Sequence, residues 1–455
     1  MAREVQGCKA CGYLPGSGRI GRPRYPHDLP WKRSRARDGD IQLEWLLARN
    51  QSALVFDFEY PALGIGNSLH GFTQAVSWAL VGGLPIFLLE PAGDATVNSL
   101  CYAFECGFPL IKRELLFGTG APHQHRKHVF PPTPTSASFA LLHSRPDKPF
   151  KVVSFKSNIR LHPCLVEAFY TSPKPCGKQN AHDASICWQI NVLRSLLPRL
   201  SSHAVMRLEA LPKQMFHGDL SRVLQIAREE RESPHKLHSY FPAMHIRTLL
   251  PAIETYSSIK GAVAAARFQA NLEFLANSSD FCIFGSQAMP SEGKDFPRDV
   301  FIASDSMELK KLMSARWEST EETTNGGAWR LHYFISPGVR LRARRAIKQP
   351  GEFVTDAMLL TLVELWYLSR SRPLIGLAFF DIRLGEKLLL AEQEGNERSA
   401  IFKTVSTFAK GASLLGGLET ATEFAQCASI GRGNTAIPIG RPINKACSVE
   451  CREST

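Results

Sequence analysis

The 455-residue sequence has no run of roughly 18 or more apolar residues, so it encodes no transmembrane helix of ordinary length. Its first residues also lack the order of charged, apolar and small residues that is typical of a signal peptide. We find no internal repeat. Hydrophobic residues make up 44% of the chain and charged residues 21%, values typical of a globular protein. The length is sufficient for two domains with full cores.

Acidic residues are fewer than basic ones, 42 against 54, which gives a net charge of +12. Such an excess suits a nucleic-acid partner, an acidic membrane surface or an anionic substrate. Residues 1–40 contain nine Lys or Arg and four Asp or Glu, a net of +5, in a Pro/Gly-rich segment without periodicity. We therefore predict a basic, flexible segment there, not a folded nucleic-acid domain. A second basic cluster, residues 340–348, is interpreted as an exposed loop or as the lining of an anion site.

The sequence contains little that would hold a metal ion. Cys8 and Cys11 form a single C-x-x-C without a second pair, although a structural zinc site needs four ligands. A histidine-rich stretch within residues 119–149 has no fixed spacing and no nearby acids, which favours a polar surface loop. We predict no metal site. Two cysteine pairs are candidate disulfides in an oxidising compartment: Cys101 with Cys106, and Cys164 with Cys176.

One stretch, residues 53–90, organises the rest of the chain. An apolar run rich in β-formers comes first, Gly64 and Gly66 allow a tight turn, and a pattern of period 3.6 then predicts a helix before a second apolar run. Such a unit places a helix N-terminus beside the carboxyl end of a parallel strand, where an anion binds favourably. The third glycine of a dinucleotide-binding turn is replaced by Leu69, which disfavours an NAD-dependent oxidoreductase.

Predicted strands and helices alternate through both halves of the chain, which indicates an α/β protein. We predict two Rossmann-like, doubly wound domains. The predicted ranges are a basic flexible segment at 1–40, an N-terminal domain at 41–235, a C-terminal domain at 236–430 and a disordered tail at 431–455.

Four landmarks in order resemble the plant cell-wall, xyloglucan-type fucosyltransferase family. They are Gly64-x-Gly66-Asn67 before a long helix, Met244-His245-Ile246-Arg247 at a strand end, the strand 300–303 closing in Ser304-Asp305, and the helix 363–369. The resemblance spans about residues 54–390. It implies a glycosyltransferase of the GT-B type, with two domains that face a cleft, an acceptor glycan on the N-terminal side and a GDP-sugar on the C-terminal side.

The resemblance also assigns roles to residues. Arg247 would be the catalytic residue, because its planar guanidinium can hold the oxygens of the leaving diphosphate without a metal. The donor-binding set would be His245, Arg247, Asp305, Gly64, Gly66 and Asn67. His245 is equally well explained as a structural histidine, and Asp305 either accepts hydrogen bonds from guanine or caps the helix that follows it. Asp57 and Glu59 are positioned to face the cleft, but no general base is assigned.

The predicted reaction is inverting, metal-independent transfer of fucose from GDP-fucose to a glycan, with no cofactor besides that donor. The family implies a Golgi or secretory location. The chain departs from the family at three places. Ser68 stands where the family usually has Arg, and Thr248 stands after Arg247 where some relatives have a second Arg. Phe379 and Phe380 stand where the family's third motif has hydroxyl side chains after a strand. A catalytically silent relative that binds a nucleotide sugar or glycan is therefore an alternative. A basic nucleic-acid-binding protein and an NAD-dependent oxidoreductase rank lower.

Overall fold

A computed structural model describes part of the chain, in two compact units that each contain one β-sheet. The described residues are 44, 53–57, 65–81, 84–89, 100–112, 116, 128–129, 150–154, 186, 189–190, 192–232, 242–246, 272–273, 276, 279–280, 299–319, 330–335, 352–377, 406–417, 420–421, 424–430 and 433–435. Within these ranges no helix is both long and apolar enough to cross a membrane.

The first unit is built on a five-stranded sheet whose paired strands are all parallel. Its elements are β1 (Ala53–Phe56), α1 (Ile65–Val81), β2 (Ile86–Leu89), α2 (Leu100–Ala103), β3 (Leu110–Ile111), β4 (His128–Val129) and β5 (Phe150–Ser154). The strand order is β3-β2-β1-β5-β4. All four residues of β1 and all four of β2 are buried, as expected for parallel strands that are covered on both faces.

Helix α1 packs against this sheet through its apolar face, as the 3.6-residue period predicts. The ring of Phe72 lies 5.3 Å from that of Phe56 in β1 and 5.0 Å from that of Phe108, in edge-to-face geometry. Leu69 and Val76, one turn to either side, are completely buried. The predicted strand–turn–helix–strand unit at 53–90 is confirmed for its described residues.

The candidate disulfide between Cys101 and Cys106 is present and links α2 to the loop that follows it. This loop is joined to residues 196–201 by backbone hydrogen bonds, among them Glu105 N to Arg199 O at 2.9 Å and Gly107 N to Leu196 O at 2.9 Å. A Cβ on Gly107 would lie 1.8 Å from the carbonyl oxygen of Ser195, so only glycine allows this approach. The other candidate pair and the Cys8–Cys11 motif lie outside the described residues.

The second unit is built on a seven-stranded sheet. Helix α3 (Ser202–Glu209) comes before its first strand in the sequence. The elements that follow are a 3-10 helix (Lys213–Met215), β6 (Phe216–His217), α4 (Leu220–Glu232), β7 (Ala243–Ile246), β8 (Asp299–Ser304), α5 (Met307–Ser319), β9 (Arg330–Phe334), α6 (Glu352–Ser369), β10 (Leu374–Leu377), α7 (Thr407–Leu415), β11 (Ala425–Ile430) and β12 (Gly433–Thr435). The order is β12-β11-β10-β7-β8-β9-β6, and only the edge strands β12 and β6 pair antiparallel.

The core of this unit lies between the central strands and the helices that connect them. Met244, Val300 and Ile302 from β7 and β8 pack with Leu309 and Trp317 of α5. All six residues of β8 are buried. The chain is therefore mixed α/β with parallel sheets, as predicted.

Helix α4 is fixed to α6 by a buried ion pair. The carboxylate of Glu230 accepts a hydrogen bond from the Trp366 indole nitrogen at 2.6 Å and another from Arg370 Nε at 2.8 Å. Because α4 packs on α6 and β6 pairs with β9, residues 216–232 belong with the seven-stranded sheet. The predicted domain ranges stay predictions, but the predicted boundary near 235 assigned these residues to the N-terminal domain.

Two predicted boundaries differ from the structure. The sequence predicts Thr355 or Asp356 as the cap of α6, since either can cap the apolar helical pattern that follows, but the helix already begins at Glu352, so both residues lie within it. Within the predicted disordered tail at 431–455, residues 433–435 form β12, and the rest of that segment lies outside the described residues. Residues 433–435 pair antiparallel with β11, a contact that sequence periodicity alone does not predict.

Candidate functional site

The carboxyl ends of three neighbouring strands meet at one edge of the seven-stranded sheet. Strand β7 pairs in parallel with β10 through Gly376 and His245, and with β8 through Ile246 and Ser304. The chain continues from β7 to β8 and β9 on one side, whereas β10 and β11 lie on the other side. The order therefore reverses between β7 and β10, and in open α/β sheets ligands bind in the crevice at such a point. We call the carboxyl ends of β10, β7 and β8 the switch-point edge.

His245 is the next-to-last residue of β7 and lies at this edge. It is buried, and its ring lies 5.1 Å from the ring of Phe408 at a tilt of 31°. The contact with Phe408 gives His245 a packing role there, in keeping with the structural interpretation. Arg247, the predicted catalytic residue, lies outside the described residues, but it follows Ile246, the last residue of β7, directly in the sequence.

Asp305 follows the last residue of β8, also at this edge. The structure assigns the capping role to its neighbour: the Ser306 hydroxyl accepts a hydrogen bond from the Leu309 amide at 3.2 Å, and the Ser306 amide donates to the Ser304 hydroxyl at 3.2 Å. Ser306 therefore occupies the cap position directly before α5, and both roles considered for Asp305 stay predictions. Sequence could not make this choice, because Ser304-Asp305-Ser306 offers three good capping residues in succession.

Helix α7 brings to the same edge two hydroxyl residues that the sequence reasoning missed. It follows β10 in the chain and leads to the parallel strand β11, so its N-terminus lies at the carboxyl end of the strands. The contact between Phe408 and His245 confirms that position. Ser406 caps the helix by accepting a hydrogen bond from the Phe408 amide at 3.3 Å, and Thr407 is its first residue.

The position of α7 is fixed at its other end as well. Gly416 ends the helix, and a Cβ there would lie 2.1 Å from the carbonyl oxygen of Ser369 at the end of α6. The sequence does carry a signal for this element, since Ser406 precedes apolar residues at helical spacing. The family resemblance points instead to the positions directly after β10, Phe379 and Phe380, which lie outside the described residues.

In the first unit, the N-terminus of α1 carries two predicted donor-site residues. Gly66 and Asn67 lie in its first turn, and Gly64 lies outside the described residues. The Asn67 side-chain oxygen is buried, and it has no hydrogen-bond partner among the residues that the structure describes. Asp57 directly follows β1 and is 1% exposed, while Glu59 lies outside the described residues.

The predicted absence of a metal site stays a prediction. Within the described ranges no group of three or more His, Cys, Asp or Glu side chains could hold a metal ion. The histidine-rich stretch at 119–149 and the basic cluster at 340–348 lie almost wholly outside those ranges.

Comparison with known proteins gives structural likenesses only. No protein-family model and no curated protein sequence matches the chain. Solved structures similar to it include fucosyltransferases. A mutant of Arabidopsis thaliana FUT1 in complex with GDP is 10% identical, with a TM-score of 0.45 over 87% of this chain and 76% of that one. NodZ alpha-1,6-fucosyltransferase co-crystallised with GDP is 14% identical, with a TM-score of 0.38 over 80% and 93%.

Another structure, fucosyltransferase NodZ from Bradyrhizobium, is 13% identical, with a TM-score of 0.36 over 80% of this chain and 93% of that one. At such identities and TM-scores the likeness assigns no family and no activity. The chain's own residues at the switch-point edge carry the proposal that follows.

Proposed function

We propose that the chain is a glycosyltransferase of the fucosyltransferase type, which moves fucose from GDP-fucose to a glycan acceptor with inversion and without a metal. The observation that carries this proposal is the switch-point edge, where Asp305, Thr407 and the chain leading into Arg247 converge on the position at which an α/β sheet binds a nucleotide. The resemblance of the sequence landmarks to fucosyltransferases supplies the choice of sugar and base.

The chemistry of such a transfer suits these residues. An acceptor hydroxyl attacks the anomeric carbon from the face opposite GDP, the bond to the diphosphate breaks, and a base takes the proton of the hydroxyl. Negative charge then grows on the departing diphosphate. Fixed positive charge from Arg247, with the amides and hydroxyl at the start of α7, would stabilise it.

Asp305 would recognise the base of the donor. Guanine presents a ring N–H and an amino group side by side, and a carboxylate can accept hydrogen bonds from both. We propose that the acceptor binds the first unit, with Asp57 as a candidate base, and that Gly66 and Asn67, at the start of α1, belong to the donor-binding set.

A secretory location is proposed on the disulfide between Cys101 and Cys106, since such bonds persist in oxidising compartments. A glycan-modifying enzyme of the Golgi would meet that condition. The hydroxyl group of Thr407 also weighs against the silent-relative alternative. That alternative arose because Phe379 and Phe380 cannot donate hydrogen bonds to phosphate.

Nucleotide binding tests the proposal. GDP and GDP-fucose should raise the melting temperature of the full chain, UDP should do so less, and EDTA should change nothing. A ligand at about a hundred times its dissociation constant stabilises by about 2.7 kcal/mol, which a thermal-shift assay resolves. Arg247→Ala should weaken GDP binding by about ten- to hundredfold, as expected for loss of a charge-assisted contact to phosphate.

Arg228→Ala is the matched control, because Arg228 is exposed in α4 and pairs there with Glu209 at 2.6 Å. It should leave GDP affinity unchanged. A preference for NAD, or for UDP with manganese, contradicts the proposal. GDP binding through Arg247 without transfer to any glycan would instead identify the silent relative.

A further inference from the structure

A lysine is buried close to the switch-point edge. Lys310, in the first turns of α5, is 1% exposed. Its ammonium group donates hydrogen bonds to Glu364 Oε1 at 2.9 Å and to the carbonyl oxygen of Phe334 at 3.0 Å, and it lies 5.9 Å from the centre of the Tyr333 ring. One side chain therefore joins α5 to α6 and to the end of β9.

This anchor continues through the backbone to Asp305. The Lys310 amide donates to the carbonyl oxygen of Ser306 at 3.3 Å, and the Ser306 amide is held by the Ser304 hydroxyl. Asp305 is the residue between these two serines. Asp305 is therefore held between β8 and α5, and the buried Lys310 side chain anchors α5 to α6 and β9.

Charge connects the same residues. Burial raises the pKa of Glu364, the neighbouring Lys310 opposes that increase, and the carboxylate of Asp305 adds to it. Two carboxylates thus act on each other beside a single ammonium group. Removing the ammonium group would leave the buried carboxylate of Glu364 without its cation, while the partly exposed carboxylate of Asp305 still acts on it.

We propose that Lys310 is a positioning residue that sets the base selectivity of the nucleotide site by holding Asp305 in register with the guanine edge. This inference rests on the proposed function. Two hydrogen bonds to one carboxylate require both donors to be in line, so a small displacement of Asp305 loses the guanine-specific pair while the phosphate contacts elsewhere on the edge remain.

The test compares three nucleotides that differ at the base. IDP lacks the amino group of guanine, and ADP lacks the ring N–H as well. We expect the full chain to bind GDP at least about tenfold more tightly than IDP, and ADP more weakly still, as measured by calorimetry. In the double variant Lys310→Met/Glu364→Leu the preference for GDP over IDP should fall to about threefold or less.

The double variant removes both partners of the buried ion pair, so it leaves no uncompensated buried charge and is better tolerated than Lys310→Met alone. Its affinity for inorganic pyrophosphate should stay within about twofold of the parent, since the phosphate contacts are retained. Lys311→Met is the matched control: Lys311 is the next residue in α5 and is exposed, so this variant should keep the parent selectivity.

The outcomes separate the two claims. If the double variant folds and keeps the parent ratio of GDP to IDP affinity, Lys310 has no role in base selectivity, whereas the proposed function stands. A parallel loss of pyrophosphate and GDP affinity would show a general structural role and would also overturn the inference. If the parent binds no guanine nucleotide, both the inference and the proposed function fail.

Discussion

Single residues at the switch-point edge divide into those that the sequence identified and those that it did not. His245, Asp305 and Arg247 were predicted from motifs that resemble those of fucosyltransferases, and the strands that lead into these motifs are present. Thr407 was missed because it lies in the sequence far beyond β10, although both adjoin the same edge. Local patterns record which residues cap or extend an element, but they do not record which distant helix returns to a given strand end.

Substitution at the start of α7 tests this assignment. Thr407→Val replaces a hydroxyl by a methyl group of similar size, and it should weaken GDP binding by about tenfold or more if the hydroxyl contacts phosphate. The melting temperature without ligand should change little, because Thr407 is partly exposed. Calorimetric titration with GDP measures the effect.

Ser406→Ala should behave in the opposite way. The Ser406 hydroxyl is occupied by the Phe408 amide, so its loss should cost about 1 kcal/mol of stability through the missing cap. The effect of Ser406→Ala on GDP affinity should be smaller than that of Thr407→Val. Equal affinity for GDP in the parent and in Thr407→Val would remove α7 from the nucleotide site.

At the scale of elements, most described helices and strands could be predicted because their apolar residues repeat at a period of 3.6 or form short continuous runs. The continuous apolar runs that form β1, β2 and β8 are clear examples. Pairing was not predictable in the same way. Strand β6 joins the second sheet through the antiparallel contact of Phe216 with Phe334, which are far apart in sequence.

The loop after α2 provides the prediction for this scale. Replacing Cys101 and Cys106 by serine should destabilise the first unit by about 2 kcal/mol, the amount expected from chain entropy for so short a loop. Dithiothreitol should lower the melting temperature of the parent and leave that of the double variant unchanged. A parent that melts at the same temperature with and without the reductant would show that the disulfide contributes nothing to stability.

At the scale of the whole molecule, the excess of positive charge is distributed unevenly. Residues 1–40 supply +5 of the total of +12, so a chain without them carries +7. The predicted nucleotide-site residues all lie beyond this segment. We therefore expect the charge near the N-terminus to affect non-specific association and solubility, and the switch-point edge to affect binding of the nucleotide-sugar donor.

Deleting residues 1–40 should leave the melting temperature and the increase caused by GDP unchanged, because the segment lacks periodic apolar residues. The intact chain should bind DNA only weakly, with an affinity that falls steeply as salt increases, and the shortened chain should bind less. Fluorescence anisotropy at several salt concentrations measures both. Sub-micromolar, sequence-selective binding at physiological salt would favour a nucleic-acid-binding protein over a glycosyltransferase.

The two outermost strands of the seven-stranded sheet also affect how readily the protein aggregates at high concentration. Strand β6 has two residues and β12 has three, so each offers few free backbone groups on which another chain could add a strand. Strand β11, beside β12, has six residues. A chain that ends before Gly433 would expose the edge of this longer strand, to which another chain could add a strand. The three residues of β12 therefore protect the sheet against aggregation.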